Sequence, residues 1–498
     1  MELQFSRSEI TYLDEAVSEI QNLEQTQELK LSDGMPDIGS VLASWGQVIL
    51  RSKEWRSDSI LVSGGMMVWV LYSPEDGGNE RIIDGWIPFQ MKWMLPENTP
   101  EGTICVDCRI RFVDSRTVSP RKIMIRAGVL ANGKALVKKE EISYFPEHIP
   151  EDVAVLKKSC SVLLPQEAGE TAFYMDEELS GANGSGAEQL VCYTLKPELT
   201  DKKVLGNKLA FRGNLNLHML YKTESQRIES QDFLLPFSQY AELNRTFGAD
   251  AEGDITLCAT NLELEISTNG QFHVKCGMAA QYRIREKTEL ETAVDAYSPY
   301  RSVNMVTEVL PLPVRLEKSK VNLFGESELP ELIQEAVDMY FLPDHPTSEK
   351  SGDKTVLESR GPVQILYYND QGMLRSAVTR WEGRAELSTP EGDSSAGMTW
   401  QPADVHLVSS GDRMRFRAEL PAEAITFSPE GIPEITALEL GDDVEPDVSR
   451  PSLILRRAGK DSLWEIAKSS GSMVDAIRNA NHLEGEPSEG QMLLIPIS

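Results

Sequence analysis

A pattern of glycine, strand and tyrosine returns along this chain of 498 residues at an interval close to 150 residues. It reads GGMMVWVLY at 64–72 and RGNLNLHMLY at 212–221, and in both copies a glycine precedes a tyrosine by eight residues. The two glycines, Gly64 and Gly213, are 149 residues apart. A Pro-Phe pair follows each copy, in WIPFQ and in LLPFS, with the prolines 148 residues apart. Two landmarks with nearly one period predict a duplicated structural unit.

A third, degenerate copy follows in SRGPVQILYY at 359–368. Gly361 lies 148 residues after Gly213, and Tyr368 lies 147 residues after Tyr221. The gap between glycine and tyrosine is therefore one residue shorter, and by this spacing Gly383 stands where the proline of the Pro-Phe pair is expected. We still predict a third unit.

The copies have the two-residue period of a half-buried strand, with Met67, Trp69 and Leu71 in the first corresponding to Leu215, Leu217 and Met219 in the second. Segments such as TICVDCRIRFVD and DITLCATNLELEIS alternate in the same way, and Asn-Gly pairs mark turns between such runs. The sequence thus predicts a mainly β protein of tandem antiparallel modules, each a sandwich or an open barrel. The period far exceeds that of a solenoid repeat, so each module is expected to bury its own core.

The repeat spacing also predicts domain boundaries. The acidic, proline-containing segment GDDVEPDVSRP at 441–451 separates the β units from a short tail. The predicted domains are a first β unit with an N-terminal segment at 1–150, a second at 151–300, a third, degenerate one at 301–445, and the tail at 450–498.

Two segments outside the tail have helical features. The apolar residues of ELPELIQEAVDMY at 328–340 follow helical spacing, which predicts the best helix upstream of the tail. The N-terminal segment EITYLDEAVSEIQNLEQ could form another helix. The alternative for this second segment is a strand that leads into the turn SDGMPD at 32–37.

The charge of the chain narrows the possible partners. It has 49 basic and 78 acidic residues, a formal net charge of −29 at pH 7, which repels phosphate backbones and anionic lipid surfaces. Nucleic acid is therefore not expected as a partner. The acidic surface is explained either by solubility or by attraction to a basic partner protein.

The sequence predicts a cytosolic protein. Its N-terminus carries acidic residues where a secretory signal needs a basic start and an apolar core, so no signal peptide is expected. No run of ~18 apolar residues, the length of a transmembrane helix, occurs. The six cysteines are scattered through a large chain and are expected to be free thiols.

No motif predicts catalysis. Cys105 and Cys108 form a CxxC, but residues three apart in a strand point to opposite faces of the sheet and do not readily chelate one ion. The six histidines have no metal-ligand spacing, and neither a GxSxG elbow nor a P-loop is present. Acidic pairs such as Asp442 and Asp443 are expected by chance in so acidic a chain. We therefore expect no catalytic residues, no metal, no cofactor and no enzymatic activity.

The last fifty residues have a different pattern, with a predicted strand, two helices and a second strand. LILRRAG at 453–459 is the first strand, and Ser462 is placed to cap a helix with Glu465 three residues later, which is the spacing of a capping box. Ser472 can cap a second helix in SMVDAIRNAN, and MLLIPI forms the closing strand.

This tail resembles a LysM domain through the runs DSLWEIA at 461–467, AIRNAN at 476–481 and GQMLLIP at 490–496. The resemblance implies a small βααβ fold that binds N-acetylglucosamine chains of chitin or peptidoglycan in a groove between two loops. Lys460 stands where the family usually has a glycine. The groove residues that it implies here are Gly459, Lys460, Asp461, Ser462, Leu463, Asn481, His482, Leu483 and Glu484.

The upstream copies, together with GMPDI at 34–38, are similar to the SPOCS domain of endospore-forming bacteria. Tandem SPOCS units that end in one LysM domain resemble a family of spore-coat morphogenesis proteins over the full chain. The resemblance implies a non-enzymatic scaffold in the mother-cell cytosol, at the forespore surface. Its partners would be a SpoIVA-type coat-basement ATPase, bound through the LysM domain, and other coat proteins.

Two alternatives stay open at this point. One is a protein that binds the glycan chains of peptidoglycan in the cell wall or the spore cortex. The other is a hydrolase with its site in the β units, for which the sequence offers no candidate residues. Coat assembly takes place on the cytosolic side of the outer forespore membrane, so a protein without an export signal would not meet peptidoglycan there.

Overall fold

The computed structural model describes residues 2–180, 186–267, 270–312, 314–330, 333, 335–351, 354–388, 397–400, 404–410, 413–428, 431–444 and 451–497. Strands dominate these residues, and the two helices that they form both lie in the tail. The prediction of a mainly β protein is confirmed. No helix in the described part of the chain has the length and hydrophobicity needed to cross a membrane.

The first six strands, which we call unit one, form two three-stranded antiparallel sheets. The sheet orders are β1-β6-β5 and β2-β3-β4. The strands are β1 (Phe5–Lys30), β2 (Ile38–Trp55), β3 (Ser59–Pro74), β4 (Arg81–Met94), β5 (Thr103–Ser119) and β6 (Lys122–Pro146). The buried side chains of both sheets form one hydrophobic core.

The next six strands, unit two, repeat this topology with the orders β11-β12-β7 and β10-β9-β8. The strands are β7 (Ala154–Leu179), β8 (Ala187–Leu205), β9 (Lys208–Thr223), β10 (Ile228–Glu242), β11 (Glu252–Ile266) and β12 (Phe272–Tyr297). Unit two has its own core, which includes the aromatic side chains of Phe173, Phe211, Phe237 and Phe272.

Unit three has more and mostly shorter strands, and most of them join one sheet instead of forming two separate three-stranded sheets. Its strands are β13 (Arg301–Leu310), β14 (Val314–Glu328), β15 (Glu335–Phe341), β16 (Thr347–Ser351), β17 (Lys354–Tyr368), β18 (Leu374–Ser388), β19 (Gly397–Trp400), β20 (Asp404–Ser410), β21 (Arg413–Ser428) and β22 (Ile432–Asp443). Strand β13 pairs with β22, and the other strands join one sheet around β17 and β21. Its core lies around Trp381 and Phe416.

The tail begins after β22. Strand β23 (Leu453–Arg457) pairs with β24 (Met492–Pro496), and the helices α1 (Leu463–Ser470) and α2 (Val474–Asn481) lie between them in the chain. The domain boundaries drawn from the repeat spacing concern independent folding and stay a prediction.

The repeated glycine-to-tyrosine segments all lie in central strands, β3, β9 and β17. In each unit the glycine is paired with an aromatic residue of the next strand. The three pairs are Gly64 with Phe89, Gly213 with Phe237, and Gly361 with Trp381. The pairing recurs in all three units, but the ring lies against the glycine only in units one and two, because the atoms nearest a Cβ on Gly361 are backbone atoms of Leu342 and Pro343.

In units one and two, the position opposite the paired phenylalanine needs to be glycine. A Cβ on Gly64 or Gly213 would lie 2.8 or 2.9 Å from the Cζ atom of the paired phenylalanine. It would also overlap a backbone carbonyl oxygen of the facing strand, that of Ile49 or Glu198. The aromatic ring can lie over the strand because this side chain is missing.

The third copy differs from the sequence expectation in its register. Trp381 stands opposite Gly361, and Arg380 occupies the position that corresponds to the proline of the Pro-Phe pair. Gly383, which the repeat spacing placed there, lies opposite Ser359. The spacing was wrong because β17 ends seven residues after Gly361, whereas β3 and β9 each end ten residues after their glycine, so the chain turns back earlier in unit three.

Both predictions of a helix outside the tail are wrong, since the described residues of the two segments form strands. The N-terminal segment is strand β1, which pairs along its length with β6, as the alternative interpretation expected. In the segment 328–340, residues 335–340 belong to β15, which pairs with β17. Tertiary pairing overrides the helical spacing in both places.

Each unit contacts the other two. One buried cluster takes two residues from the first strand of each unit or from directly after it, which are Ile10, Tyr12, Val162, Leu164, Leu310 and Leu312. A second cluster joins Trp45 and Leu71 of unit one to Leu220 of unit two and to Tyr340 and Tyr368 of unit three. The three units thus close on one another instead of forming an extended row.

Candidate functional site

The tail folds around a compact core of its own. Leu463, Ile466 and Ala467 of α1 pack with Ile477 of α2 and Leu493 of β24, and all five are buried. Tyr297, the last residue of β12, also belongs to this cluster. The core therefore includes part of unit two.

Helix α1 begins with the capping box that its sequence predicted. Ser462 is the N-cap, its hydroxyl accepts from the Glu465 N–H at 3.2 Å, and the Glu465 carboxylate accepts from the Ser462 N–H at 2.8 Å. These bonds lower the pKa of Glu465, with the backbone donor of Ser462 as the larger cause. The helix ends at Gly471, whose φ of 65° is in the left-handed region.

Helix α2 begins one residue later than expected. Its N-cap is Met473, which makes no side-chain capping bond, so the prediction that Ser472 caps this helix is wrong. The Ser472 hydroxyl instead donates to the carbonyl oxygen of Pro496. Ser472 thereby ties the turn between the helices to the last strand.

The first predicted loop exposes three of its five residues. Gly459, Lys460 and Asp461 are exposed, Ser462 is half-buried, and Leu463 is buried in the tail core. Asp461 pairs with Arg456 at 2.6 Å. Lys460 has no ion-pair partner among the described residues. It is the free charge of this loop.

The second predicted loop divides into structural and exposed residues. The Asn481 side chain donates to Leu494 O at 2.6 Å and accepts from Leu494 N at 2.7 Å, so it anchors β24. Leu483 packs partly against the tail core. His482, with a φ of 52°, and Glu484 are exposed.

A residue that was not predicted joins the two loops. Glu486 accepts a hydrogen bond from the Leu463 N–H at 2.7 Å, at the start of α1. The charged and polar side chains left to solvent across the two loops are those of Lys460, Asp461, His482 and Glu484. The surface they offer is polar and carries both signs of charge.

The tail is held against unit two by the other side of α1. Asp295 of β12 accepts from the Trp464 indole N–H at 2.8 Å and pairs with Lys468 at 2.7 Å. The Tyr297 ring meets the Trp464 ring edge-on, with centroids 4.9 Å apart, and its hydroxyl donates to Ser472 O at 2.8 Å. Trp464 therefore serves tail docking and is not an open aromatic platform.

A second surface of the tail, also not predicted, is apolar. Leu453, Leu455, Met492 and Leu494 are 51%, 61%, 51% and 39% exposed and lie on the outer face of the ribbon of β23 and β24. Arg457, paired in register with Met492, has no ion-pair partner among the described residues. The alternation of leucines in LILRR is the signal that could have revealed this face.

A polar cluster lies where the three units meet, and its side chains range from the buried Asp338 to Asp232, which is 78% exposed. His218 Nδ1 lies 2.6 Å from Asp232 and its Nε2 lies 3.1 Å from Asp338. Asp338 also accepts from the Trp45 indole N–H at 2.7 Å. Burial alone would lower the pKa of His218, but the two carboxylates outweigh it and raise the pKa to about 9. The cluster joins units as an ion pair.

The histidine, cysteine and acidic side chains of the described residues bear on metal binding and on thiol reactivity. No group of three or more histidine, cysteine and acidic side chains there is arranged to hold a metal ion. All six cysteines are free, and burial raises the pKa of both Cys105 and Cys108, which weakens each thiol as a nucleophile.

Comparison with known families gives one match. Residues 187–266 match the family model described as SipL, SPOCS domain. The matched segment runs from β8 to β11 and includes the Gly213–Tyr221 strand and Phe237, so the resemblance drawn from these residues is confirmed for this segment. Neither the curated proteins nor the solved structures contain a match to the chain.

Proposed function

We propose that this chain is a non-enzymatic scaffold of spore-coat assembly whose tail is a LysM-type docking module. The SPOCS match at 187–266 supports a role in sporulation, because SPOCS domains are found in endospore-forming bacteria. The strand, helix, helix and strand order of the tail and its sequence runs support the LysM assignment. The proposed domains are 1–150, 151–300 and 301–445, each SPOCS-like, and 450–498.

The proposed partner of the tail is a SpoIVA-type coat-basement ATPase, met on the mother-cell side of the forespore surface. One observation carries this choice over a glycan. Trp464 is turned onto Asp295 and Tyr297, and Lys460, Asp461, His482 and Glu484 leave a polar surface with charges of both signs. Sugar rings bind best to open aromatic faces, whereas mixed charges suit the polar rim of a protein interface.

Capture of a purified SpoIVA-type ATPase by the full chain tests the docking loops. Lys460→Glu and Glu484→Lys reverse exposed charges on the two loops, and each is expected to weaken capture about tenfold. Lys203→Glu makes the same charge change as Lys460→Glu, on an exposed residue of β8, and is the matched control for that variant. Unchanged capture by both loop variants would remove the loops from the interface.

The apolar face of the tail is tested in the same assay. Leu455→Lys places a charge on a side chain that is 61% exposed, so it tests the face without disturbing the core. Val378→Lys, at a position on β18 that is 66% exposed, is the control for a new surface lysine. A defect in Leu455→Lys alone would move the docking surface from the loops to the ribbon.

A separate experiment tests the glycan alternative. The full chain is sedimented with insoluble peptidoglycan, with and without Lys460→Glu. The scaffold proposal expects no more protein in the pellet than in a control without peptidoglycan. Pelleting that Lys460→Glu abolishes would instead assign the loops to sugar. Fluorescence localisation adds an independent test, since a scaffold should form a shell around the forespore before cortex is made.

A further inference from the structure

Each unit carries one pair of facing residues at the same place in its sheet, close to the other units. The first member of each pair lies three residues after the repeated glycine of the central strand, and the second lies opposite it on the preceding strand of the sheet. The pairs are Met67 with Gln47, Asn216 with Lys196, and Gln364 with Tyr340. These equivalent positions allow the three joints between units to be compared.

The joint between units three and one is closed by hydrogen bonds to backbone. The Tyr340 hydroxyl accepts from the Gly46 N–H at 3.1 Å and donates to the Gly46 carbonyl oxygen at 3.0 Å. The Gln364 amide accepts from the Ser44 N–H at 3.1 Å and donates to the Ser44 carbonyl oxygen at 3.3 Å. Both residues of the unit three pair thus bind the outer edge of β2 in unit one.

The joint between units one and two uses the same position. The Gln47 side chain accepts from the Leu195 N–H at 2.9 Å, on β8 of unit two. Leu195 corresponds to Gly46, because each directly precedes the strand residue of its own pair. The rings of Trp69 and Tyr193 also meet across this joint, with centroids 4.9 Å apart. The equivalent backbone N–H is therefore bound by the neighbouring unit at both of these joints.

The joint between units two and three lacks such bonds. Asn216 Oδ1 is buried and finds no hydrogen-bond donor in the described part of the chain, while the amide N–H donates to Glu198 of the same unit at 3.2 Å. Lys196 is exposed and makes no ion pair or hydrogen bond with any described residue. A buried acceptor without a donor destabilises the closed joint, because water can bind it once the joint opens.

Side-chain contacts hold this joint together. His218 Nε2 lies 3.1 Å from Asp338, and Arg227 pairs with Glu335 at 2.7 Å. The second pair is 46% and 62% exposed, so it adds little to stability. The other polar contacts across the joint are those of Arg301 with Asp152 and of the Ile228 N–H with the Tyr368 hydroxyl. The apolar cluster around Trp45 includes all three units, so it does not favour one joint over another.

We infer that the ring of three units opens at one place, the joint between units two and three, while the other two joints stay closed. Opening moves β15 away from unit two and exposes apolar side chains of the shared cluster, among them Leu220 and Val337. Local stability varies within a protein, and the part with the fewest satisfied bonds opens most often. The ring thus contains a conformational device that uncovers an apolar surface.

Three buried native cysteines report on opening at different places. Cys192 is fully buried in the shared cluster, and burial and then the nearby Asp338 carboxylate of unit three raise the pKa of its thiol. Cys258 lies at the joint between units one and two, with its Sγ atom 3.3 Å from the Val106 carbonyl oxygen. Cys276 is buried in the core of unit two. A buried thiol reacts with a reagent only in conformations that expose it.

Alkylation of the full chain by N-ethylmaleimide, followed by peptide mass spectrometry, measures these openings. The half-buried Cys105, Cys108 and Cys160 are replaced by alanine in every sample, so that their reaction does not disturb the joints. Cys192 should react at least about tenfold faster than Cys258 and Cys276. Equal rates at the three positions, or faster reaction of Cys258, would overturn the inference.

Residues of the other units supply the decisive variant. Asn216→Gln introduces the residue that unit three has at this position, and Lys196→Gln introduces that of unit one, so the double variant should fold and bind β15. It should slow the alkylation of Cys192 at least about tenfold and leave that of Cys276 unchanged. Asn214→Gln with Lys203→Gln makes the same substitutions elsewhere on β9 and β8, and should react at the native rate. A native rate at Cys192 in the Asn216→Gln, Lys196→Gln variant would also overturn the inference.

Discussion

Trp464 donates its indole N–H to a carboxylate oxygen of Asp295, 2.8 Å away in space and 169 residues earlier in the chain. The same carboxylate pairs with Lys468 at 2.7 Å, so one side chain of unit two holds two residues of the first tail helix. The orientation of the tail is thus set by specific contacts and not by the length of the segment that precedes it.

Asp295→Ala should loosen the tail from unit two. The change removes the hydrogen bonds from Trp464 and Lys468 and leaves the indole N–H of Trp464 without its partner, at a cost of about 1–3 kcal/mol. Hydrogen exchange of the α1 amides should become faster while exchange in β3 and β9 is unchanged. Asp475→Ala, which removes a carboxylate that is 82% exposed and pairs within α2, is the control. Equal protection in Asp295→Ala and the native chain would contradict this role.

His218 should make the folded chain lose stability at alkaline pH. Its pKa is raised to about 9, so its stabilising contribution is complete below its ordinary pKa near 6.5 and is lost as pH rises toward 9. The loss should amount to about 2 kcal/mol in urea unfolding between these two pH values. His218→Gln should flatten the profile over this range. A native profile that is already flat there would refute the assignment.

Glu15 should have the opposite effect at acid pH. Burial alone would raise its pKa, but Lys134 at 2.9 Å and Arg283 at 2.6 Å outweigh it and lower the pKa to about 2. Its contribution is complete above its ordinary pKa near 4.5 and is lost as pH falls toward 2. In Glu15→Gln the loss of stability over this range should be about 2 kcal/mol smaller than in the native chain. Together with His218, this predicts greatest stability between about pH 4.5 and 6.5.

Gly213→Ala should destabilise unit two by about 2–3 kcal/mol. The added Cβ would overlap the Glu198 carbonyl oxygen and press on the ring of Phe237 at 2.9 Å, so either the strand or the ring must move. Thermal unfolding measures the change. Gly34→Ala is the control, because nothing lies within 4 Å of its Cβ position. A similar melting temperature for both variants would show that the glycine is dispensable.

The repeat was predictable because its residues act within one sheet. The strand of Gly213 and the residue Phe237 belong to adjacent strands, so one spacing in the sequence records one pairing in the structure. The third copy broke this rule, since a shorter strand after Gly361 put Arg380 at the position of the proline, where the spacing pointed to Gly383. A period in the sequence predicts register only when the paired strands keep their length.

The segment 328–340 and the tail illustrate two different limits. Apolar spacing predicted a helix where β15 pairs with β17, because a short apolar run fits either state and tertiary contacts decide. The capping box at Ser462 was predictable because both partners lie within four residues. Ser472 was wrongly assigned because its hydroxyl partner, Pro496, lies 24 residues away.

The contacts that hold the tail to unit two were not predictable from local patterns. No periodicity in the sequence connects Asp295 to Trp464. The sequence of α1 alone also does not predict whether the Trp464 side chain is buried or exposed. Contacts between units are specified by shape and charge across distant segments, which one sequence does not record.

The mutual contact of the three units determines how this protein can be dissected. In a linear row of modules, removal of an end module exposes one interface. Here the removal of any unit would expose apolar residues of both other units. Deletion of a unit along the repeat boundaries should therefore give fragments that aggregate. The chain is best shortened between β22 and β23, because removal of the tail loses the contacts of Asp295 and Tyr297 with α1 and leaves the contacts among the three units intact.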